Sequence, residues 1–188
     1  SLLGPKHYVP VSGIAQSSAD VWDTPLGEVR LDTDEIARLE SLPWATVNDA
    51  AHAPEHSLEV QLPFLQSVLD DFYLVPILVG ESGADRVAEV IDGAWDDPET
   101  AIVVSTDLSH YHRYAEAVEI DRRTAEAVTE LRGDDIEPTT ACGAHALRGL
   151  LHAALDRGLT VRELDLRNSG DTAGDRTRVV GYGAFAVA

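Results

Sequence analysis

The chain has 188 residues, 44% of them hydrophobic and 25% charged, which is typical of a soluble globular protein. It carries 33 acidic against 14 basic residues, a formal net charge of −19, which argues against nucleic-acid binding because that function needs basic patches. No apolar run approaches the ~20 residues of a membrane helix, so a membrane-spanning protein is also excluded. The acids are spread along the chain rather than gathered in a tail, which predicts a solvated surface and a salt-adapted organism. The single cysteine predicts a cytoplasmic location.

Strand and helix patterns alternate along the chain. In order, they predict a strand end at 2–3 with a loop at 4–10, a short strand at 13–18, a turn around Pro25 and Gly27, helices at 33–42 and 56–69, a strand at 72–79, a helix at 84–95, a strand at 101–105, helices at 115–131 and 143–157, and strands at 160–166 and 178–187. Pro63 predicts a kink or a break inside helix 56–69, and Pro76 predicts that strand 72–79 lies at a sheet edge or a bulge.

This alternation predicts an α/β fold, a three-layer sandwich with a mostly parallel or mixed sheet and helices on both faces. No linker, repeat or low-complexity segment interrupts the pattern, so we expect a single domain over residues 1–188. In such folds the ligand site forms at the carboxyl ends of the strands. Polar residues gather at four such places.

The first two places are GPKHYVP, with His7 after a strand end, and PEHSLEV, with Glu55 and His56 at a helix start. His7 is either a metal ligand or base that points into a cleft, or a loop histidine in water. Glu55 and His56 are either pocket residues or a helix cap, in which Glu55 suits the helix dipole. Because no second histidine follows His56 by one turn, the HExxH pattern of zinc proteases is excluded.

The third place is STDLSHYH at 105–112. If this segment turns helically, Asp107 and His110 share a face. There Asp107 could orient a catalytic imidazole, or both residues could line a metal pocket. Alternatively, Asp107 caps a helix that begins at Leu108 and the histidines are exposed.

The fourth place is TACGAHAL at 140–147, which holds the only cysteine. A single cysteine excludes an internal disulfide, which fits a reducing cytosol. Cys142 precedes Gly143 at a predicted helix N-terminus, a position that lowers a thiol pKa, and His145 follows three residues later. Cys142 is therefore either a thiolate kept for chemistry or a small buried hydrophobe.

Taken in order, the motifs GPKHYVP, SSADVWDTPLGEV, EHSLEVQLPFLQ, STDLSHYH, ACGAHAL and NSGDTAGD with VVGYGAFA resemble those of the Memo-like protein family, also called AmmeMemoRadiSam system protein B. The resemblance covers essentially the whole chain. This family is similar in fold to the class III extradiol dioxygenases, which bind Fe(II) through two histidines and a carboxylate and open catechol rings with O₂. The resemblance implies an altered metal site of two histidines and a cysteine.

On this resemblance, His7 and Cys142 are metal ligands, His110 is the acid/base histidine with Asp107 beside it, and His56 lines the same pocket. The family's other metal histidine stands in a PHAGY-type motif that this sequence lacks. The expectation is therefore a Memo-like domain that lacks its N-terminal segment. Such a domain presents two of the three metal ligands, so the resemblance does not imply that metal is bound. Imidazole and thiolate ligands suit Fe(II), Cu or Zn, and of these we expect Fe(II) or Cu rather than Zn. The family association also implies a radical-SAM system partner.

Three functions stay open at this point. The first is a metal-dependent, dioxygenase-like oxidoreductase whose substrate the residues do not identify. The second is a non-catalytic module that keeps the fold and binds an anionic peptide or a small ligand. The third is a cysteine hydrolase that pairs Cys142 with His110 or His145, which is less favoured because no hydrolase signature surrounds the thiol.

Overall fold

In the computed structural model, which describes residues 1–172 and 174–188, strands and helices alternate as the sequence predicts. The strands are β1 (Leu2–Pro5), β2 (Ile14–Gln16), β3 (Val21–Thr24), β4 (Gly27–Arg30), β5 (Ala45–Val47), β6 (Pro76–Val79), β7 (Val103–Val104), β8 (His110–His112), β9 (Val161–Asn168) and β10 (Val179–Val187). The α-helices are α1 (Thr33–Glu40), α2 (Asp49–His52), α3 (Leu62–Val68), α4 (Ala84–Trp95), α5 (Tyr114–Thr129), α6 (Ala144–Asp156) and α7 (Ser169–Thr172).

The central sheet has five strands in the order β5-β2-β6-β1-β7. Strand β1 pairs in parallel with β6 and β7, and β2 pairs in parallel with β5. The β2–β6 pair is antiparallel, so the sheet is mixed. All residues of β1, β2 and β6 are buried, as expected for strands that are covered on both faces. The α/β sandwich with a mixed sheet is thereby confirmed.

A second, antiparallel sheet has the order β8-β10-β9. The alternation of strands and helices predicts a single sheet, and the chain instead forms this additional layer from its last two strands and β8. The burial of β9 alternates over much of its length, as expected for a strand with one face on a core and one in solvent. Its own core joins Leu108 of the loop before β8 with residues of α5 and α6 such as Val128 and Leu147.

Two prolines mark strand and helix starts. Pro63 lies in the first turn of α3 and separates that helix from a 3₁₀ turn at Glu59–Gln61, so the pattern at 56–69 is broken rather than kinked. The prediction from Pro76 is wrong, because β6 lies between β2 and β1 in the middle of the sheet. Pro76 is the first residue of that strand, where its missing N–H interrupts the ladder least. None of the described helices is long and apolar enough to cross a membrane.

Candidate functional site

A pocket of about 210 Å³ lies at the carboxyl edge of the central sheet. The loop with His7 follows β1, and the segment with Asp107 follows β7, which is the hydrogen-bonded neighbour of β1. Parallel strands end at the same edge, so these two loops meet there. The pocket is lined by four of the predicted site residues, His7, His56, Asp107 and Cys142.

One wall of the pocket is built on the carboxylate of Glu55. Its Oε2 accepts the main-chain N–H of His7 at 2.6 Å, and its Oε1 lies 2.9 Å from His7 Nδ1. Oε1 also accepts the N–H groups of His56 and Ser57, each at 3.0 Å. Burial alone would raise the pKa of the Glu55 carboxyl, but the hydrogen bonds from His7 and the main chain outweigh it, so the pKa lies below its usual value.

His56 lies at the mouth of the pocket. Its side chain is 65% exposed, and its Nδ1 is 2.5 Å from Oε1 of Glu59, which is itself 57% exposed. The ring also meets Tyr8 edge to face at a centroid distance of 6.5 Å. His56 therefore borders the pocket and remains open to solvent and to a ligand.

The opposite wall is formed by Asp107 and Cys142, which are joined by two hydrogen bonds. The N–H of Asp107 donates to the Sγ of Cys142 at 3.2 Å, and the N–H of Cys142 donates to the carbonyl of Asp107 at 3.2 Å. The next residue, Gly143, donates its N–H to Thr106 Oγ1 at 2.8 Å. A Cβ on Gly143 would lie 2.7 Å from the Cβ of Thr106, so this approach requires a glycine.

His110, the fifth predicted site residue, lies next to this wall and is not among the residues that line the pocket. Residues 105–109 form a loop and His110 begins β8, so neither the helical turn nor the helix cap at Leu108 is found. Even so, His110 Nε2 lies 3.4 Å from Asp107 Oδ2. Ligand atoms of Asp107, His110 and Cys142 all lie within 4.8 Å of one another. His112 instead pairs with Glu116 on α5 at 3.0 Å.

The Cys142 thiol is half-buried next to the N-terminus of α6. Gly143 is the N-cap of α6, as predicted. Burial nevertheless raises the pKa of the Cys142 thiol, and the hydrogen bonds from Asp107 and Thr106 do not offset it. The expectation of a lowered thiol pKa is therefore wrong, because desolvation of the thiolate outweighs the helix terminus here.

The two histidines of the hydrolase alternative have different surroundings. His110 belongs to the cluster with the Cys142 thiol. His145 is on α6, and its Nδ1 lies 3.1 Å from the carbonyl oxygen of Ser82. The structure thus brings His110 to the thiol and engages His145 elsewhere.

Sequence reasoning missed the role of three polar residues, of which Glu55 and Gln61 line the pocket and Asp121 does not. Glu55 was interpreted only as a cap or a pocket residue, although its donors include His7, 48 residues away. Gln61 donates to Ser105 Oγ at 3.0 Å, and both residues line the pocket. Asp121 lies on α5 behind β8 and accepts the N–H of Ser109 at 2.9 Å. The sequence signal for Asp121 is a charged residue on the apolar face of a helix.

Asp121 is also packed against strand β10. A Cβ on Gly181 would lie 2.1 Å from Asp121 Oδ2, so the carboxylate occupies the space that a side chain would need. Burial raises the pKa of the Asp121 carboxyl above its ordinary value. A glycine in β10 therefore admits a buried carboxylate directly behind the segment that carries His110.

Comparison with known proteins agrees with these motifs along almost the whole chain. The model of the Memo-like protein family matches residues 1–186. This chain belongs to the Memo-like family. It is 37% identical to a MEMO1 family protein of Aeropyrum pernix over 99% of this chain and 71% of that protein. It is 35% identical to one of Archaeoglobus fulgidus over 96% and 72%, and 34% identical to one of Methanopyrus kandleri over 98% and 70%.

The donor atoms of this Memo-like chain fit a metal ion. A carboxylate oxygen, an imidazole nitrogen and a sulfur converge within 4.8 Å, and His7 offers a further imidazole in the same pocket. This mixture of donors suits borderline divalent metals better than Mg²⁺ or Ca²⁺, which prefer oxygen ligands alone. A candidate metal site is therefore present at the carboxyl edge of the Memo-like sheet.

Proposed function

We propose that this Memo-like chain binds a redox metal, Fe(II) or Cu, in the pocket between the two walls. Cys142 and His7 act as ligands, and His110 with Asp107 acts as the acid/base pair beside them. The observation that supports a metal ion beside Cys142 is the convergence of Asp107, His110 and Cys142 within 4.8 Å. The assignment of His7 as the second ligand and of His110 to proton transfer follows the resemblance to the family, and His7 lines the same pocket as Cys142.

The surroundings of Cys142 support a role as metal ligand. Its Sγ already accepts the N–H of Asp107, and such N–H donors stabilise a thiolate that is bound to metal. The raised pKa of the thiol keeps it protonated when no metal is present, so metal binding releases a proton. When bound, the metal supplies redox and Lewis-acid chemistry to the pocket.

The Asp107–His110 pair is suited to proton transfer. Both side chains are partly exposed, at 48% and 32%, so a ligand in the pocket can reach them. Asp107 lies against Nε2 of His110, which leaves Nδ1 to exchange a proton with a bound molecule. His56 at the mouth of the pocket would contact the same molecule.

A metal titration of the full chain tests the proposal. We expect anaerobic Fe(II), or Cu, to remain bound after desalting at about one ion per chain and Cys142→Ala to retain less than about a tenth of that. His152→Ala is the matched control, because His152 is exposed and pairs only with Asp156 in the part of the chain described here. Equal metal content in Cys142→Ala and wild type would contradict the proposal.

The variant His110→Ala distinguishes a role of His110 as metal ligand from a role as acid/base residue. We expect His110→Ala to keep its metal, because the proposal assigns His110 to proton transfer. Loss of metal equal to that of Cys142→Ala would make His110 a ligand instead. A wild-type chain that binds no metal would favour the alternative of a non-catalytic binding module.

A further inference from the structure

We infer that Glu55 is a positioning residue that holds His7 in one tautomer, with the proton on Nδ1 and the lone pair on Nε2. The inference deepens the proposed function, because it explains how His7 would present its remaining ring nitrogen to a metal. It starts from the contact between Glu55 Oε1 and His7 Nδ1 at 2.9 Å.

The Glu55 carboxylate is itself held in place. Its side chain is 2% exposed, and both of its oxygens accept N–H groups. Three of these donors are main-chain groups, from His7, His56 and Ser57. The carboxylate therefore ties the loop after β1 to the segment before the 3₁₀ turn and cannot rotate without breaking several charge-assisted hydrogen bonds.

The positions of the protons follow from this arrangement. An ionised carboxylate has no proton to donate, so the contact requires Nδ1 of His7 to be the donor. A neutral imidazole that is protonated at Nδ1 has its lone pair on Nε2, and a lone pair is what a metal ligand must offer. A carboxylate behind a ligating histidine is the usual device that fixes this tautomer and orients the ring.

A second carboxylate–histidine pair, at the mouth of the pocket, gives an internal contrast. Glu59 also meets Nδ1 of its histidine, His56, but the two side chains are 57% and 65% exposed. Their contact joins residues three apart and does not connect distant segments. Solvent competes for such an exposed pair, so Glu59→Gln is a matched control for Glu55→Gln.

The test is ¹⁵N NMR of the histidine side chains in the full metal-free chain at about pH 8, where imidazole is normally neutral. In the wild type we expect His7 to show a protonated Nδ1 and a bare Nε2. In Glu55→Gln we expect a shift toward the tautomer that free side chains prefer, with the proton on Nε2. Glu59→Gln should leave His7 unchanged.

A wild-type His7 with its proton on Nε2 would overturn the inference. That measurement needs no variant, so it decides the matter even if Glu55→Gln does not fold. An unchanged His7 tautomer in folded Glu55→Gln would also overturn it.

Metal affinity provides a second readout. We expect Glu55→Gln to weaken Fe(II) binding about 10- to 100-fold and Glu59→Gln to leave it within about twofold. Full affinity in folded Glu55→Gln would refute the inference and leave the proposed function standing. A wild-type chain that binds neither Fe(II) nor Cu but shows the expected tautomer would refute the proposed function and leave the positioning by Glu55 standing.

Discussion

Two buried carboxylates lie next to the two walls of the pocket, and their pKa values are shifted in opposite directions. As whole residues, Glu55 and Asp121 are 6% and 3% exposed. Glu55 accepts three main-chain N–H groups and lies 2.9 Å from His7 Nδ1, and its pKa is lowered. Asp121 accepts one N–H, that of Ser109, among the described residues, and its pKa is raised.

Burial acts to raise the pKa of both carboxyls, and only around Glu55 do the hydrogen bonds outweigh it, so the ionised form is favoured at Glu55 and disfavoured at Asp121. Around Glu55 the main chain turns so that its N–H groups point at the carboxylate. Around Asp121 the backbone of β10 is close, and the N–H of Gly181 donates to the carbonyl of Ser109 rather than to the carboxylate. The ionised form of Glu55 therefore stabilises its wall of the pocket, whereas ionisation of Asp121 lowers the stability of the folded protein.

The largest effect is expected from Gly181→Ala. The new Cβ would lie 2.1 Å from Asp121 Oδ2, and the backbone of Gly181 is held by hydrogen bonds to Ser109 and Leu108. We expect a loss of about 3 kcal/mol in the free energy of unfolding, measured by urea denaturation. Gly133→Ala is the control, because its nearest neighbour would be 3.5 Å away. Equal stability of the two variants would show that Asp121 is not seated against β10.

A somewhat smaller loss is expected from Glu55→Gln. The amide lacks the charge that strengthens the hydrogen bonds from His7, His56 and Ser57, so we expect about 2 kcal/mol at pH 7. Glu59→Gln should stay within about 0.5 kcal/mol, because Glu59 is exposed. Chemical denaturation of both variants gives the comparison, and a loss as small for Glu55 as for Glu59 would remove the distinction between the two pairs.

The smallest effect has the opposite sign. Asp121→Asn keeps an oxygen that can accept the Ser109 N–H and removes the buried charge, so we expect a gain of about 1 kcal/mol at pH 7. The folded-state pKa is raised above 3.8, so wild-type stability falls as the pH rises from 3.8 through that value. The gain should therefore shrink as the pH approaches 3.8. Thermal unfolding of the variant and wild type across pH 4–7 measures it, and destabilisation by Asp121→Asn at pH 7 would contradict this account.

Local sequence patterns predicted many of the helices and strands. Apolar spacing predicted the helices that became α1, α4, α5 and α6, and Pro63 predicted the interruption before α3. The second sheet could not be predicted this way, because β8 is three residues long and its partner β10 lies some 70 residues further along the chain. Pairing at such a distance leaves no local signal.

The candidate site, too, could be predicted from local patterns only in part. The motifs located His7, Asp107, His110 and Cys142, since each follows a strand or precedes a helix, and the structure gathers them at one edge of the sheet. The role of Glu55 depends on donors that the fold brings together, and the raised pKa of Cys142 depends on burial. Neither contact partners nor burial is encoded in the spacing of a few residues.

The central claim is that the Cys142 sulfur binds the metal in this pocket. Metal-edge X-ray absorption spectroscopy of the Fe(II)-loaded chain tests it directly, because a sulfur neighbour is distinguished from nitrogen and oxygen by its scattering. We expect one sulfur neighbour in the wild type, and Cys142 supplies the only sulfur atom of the chain. A wild-type spectrum with nitrogen and oxygen neighbours alone would contradict the account.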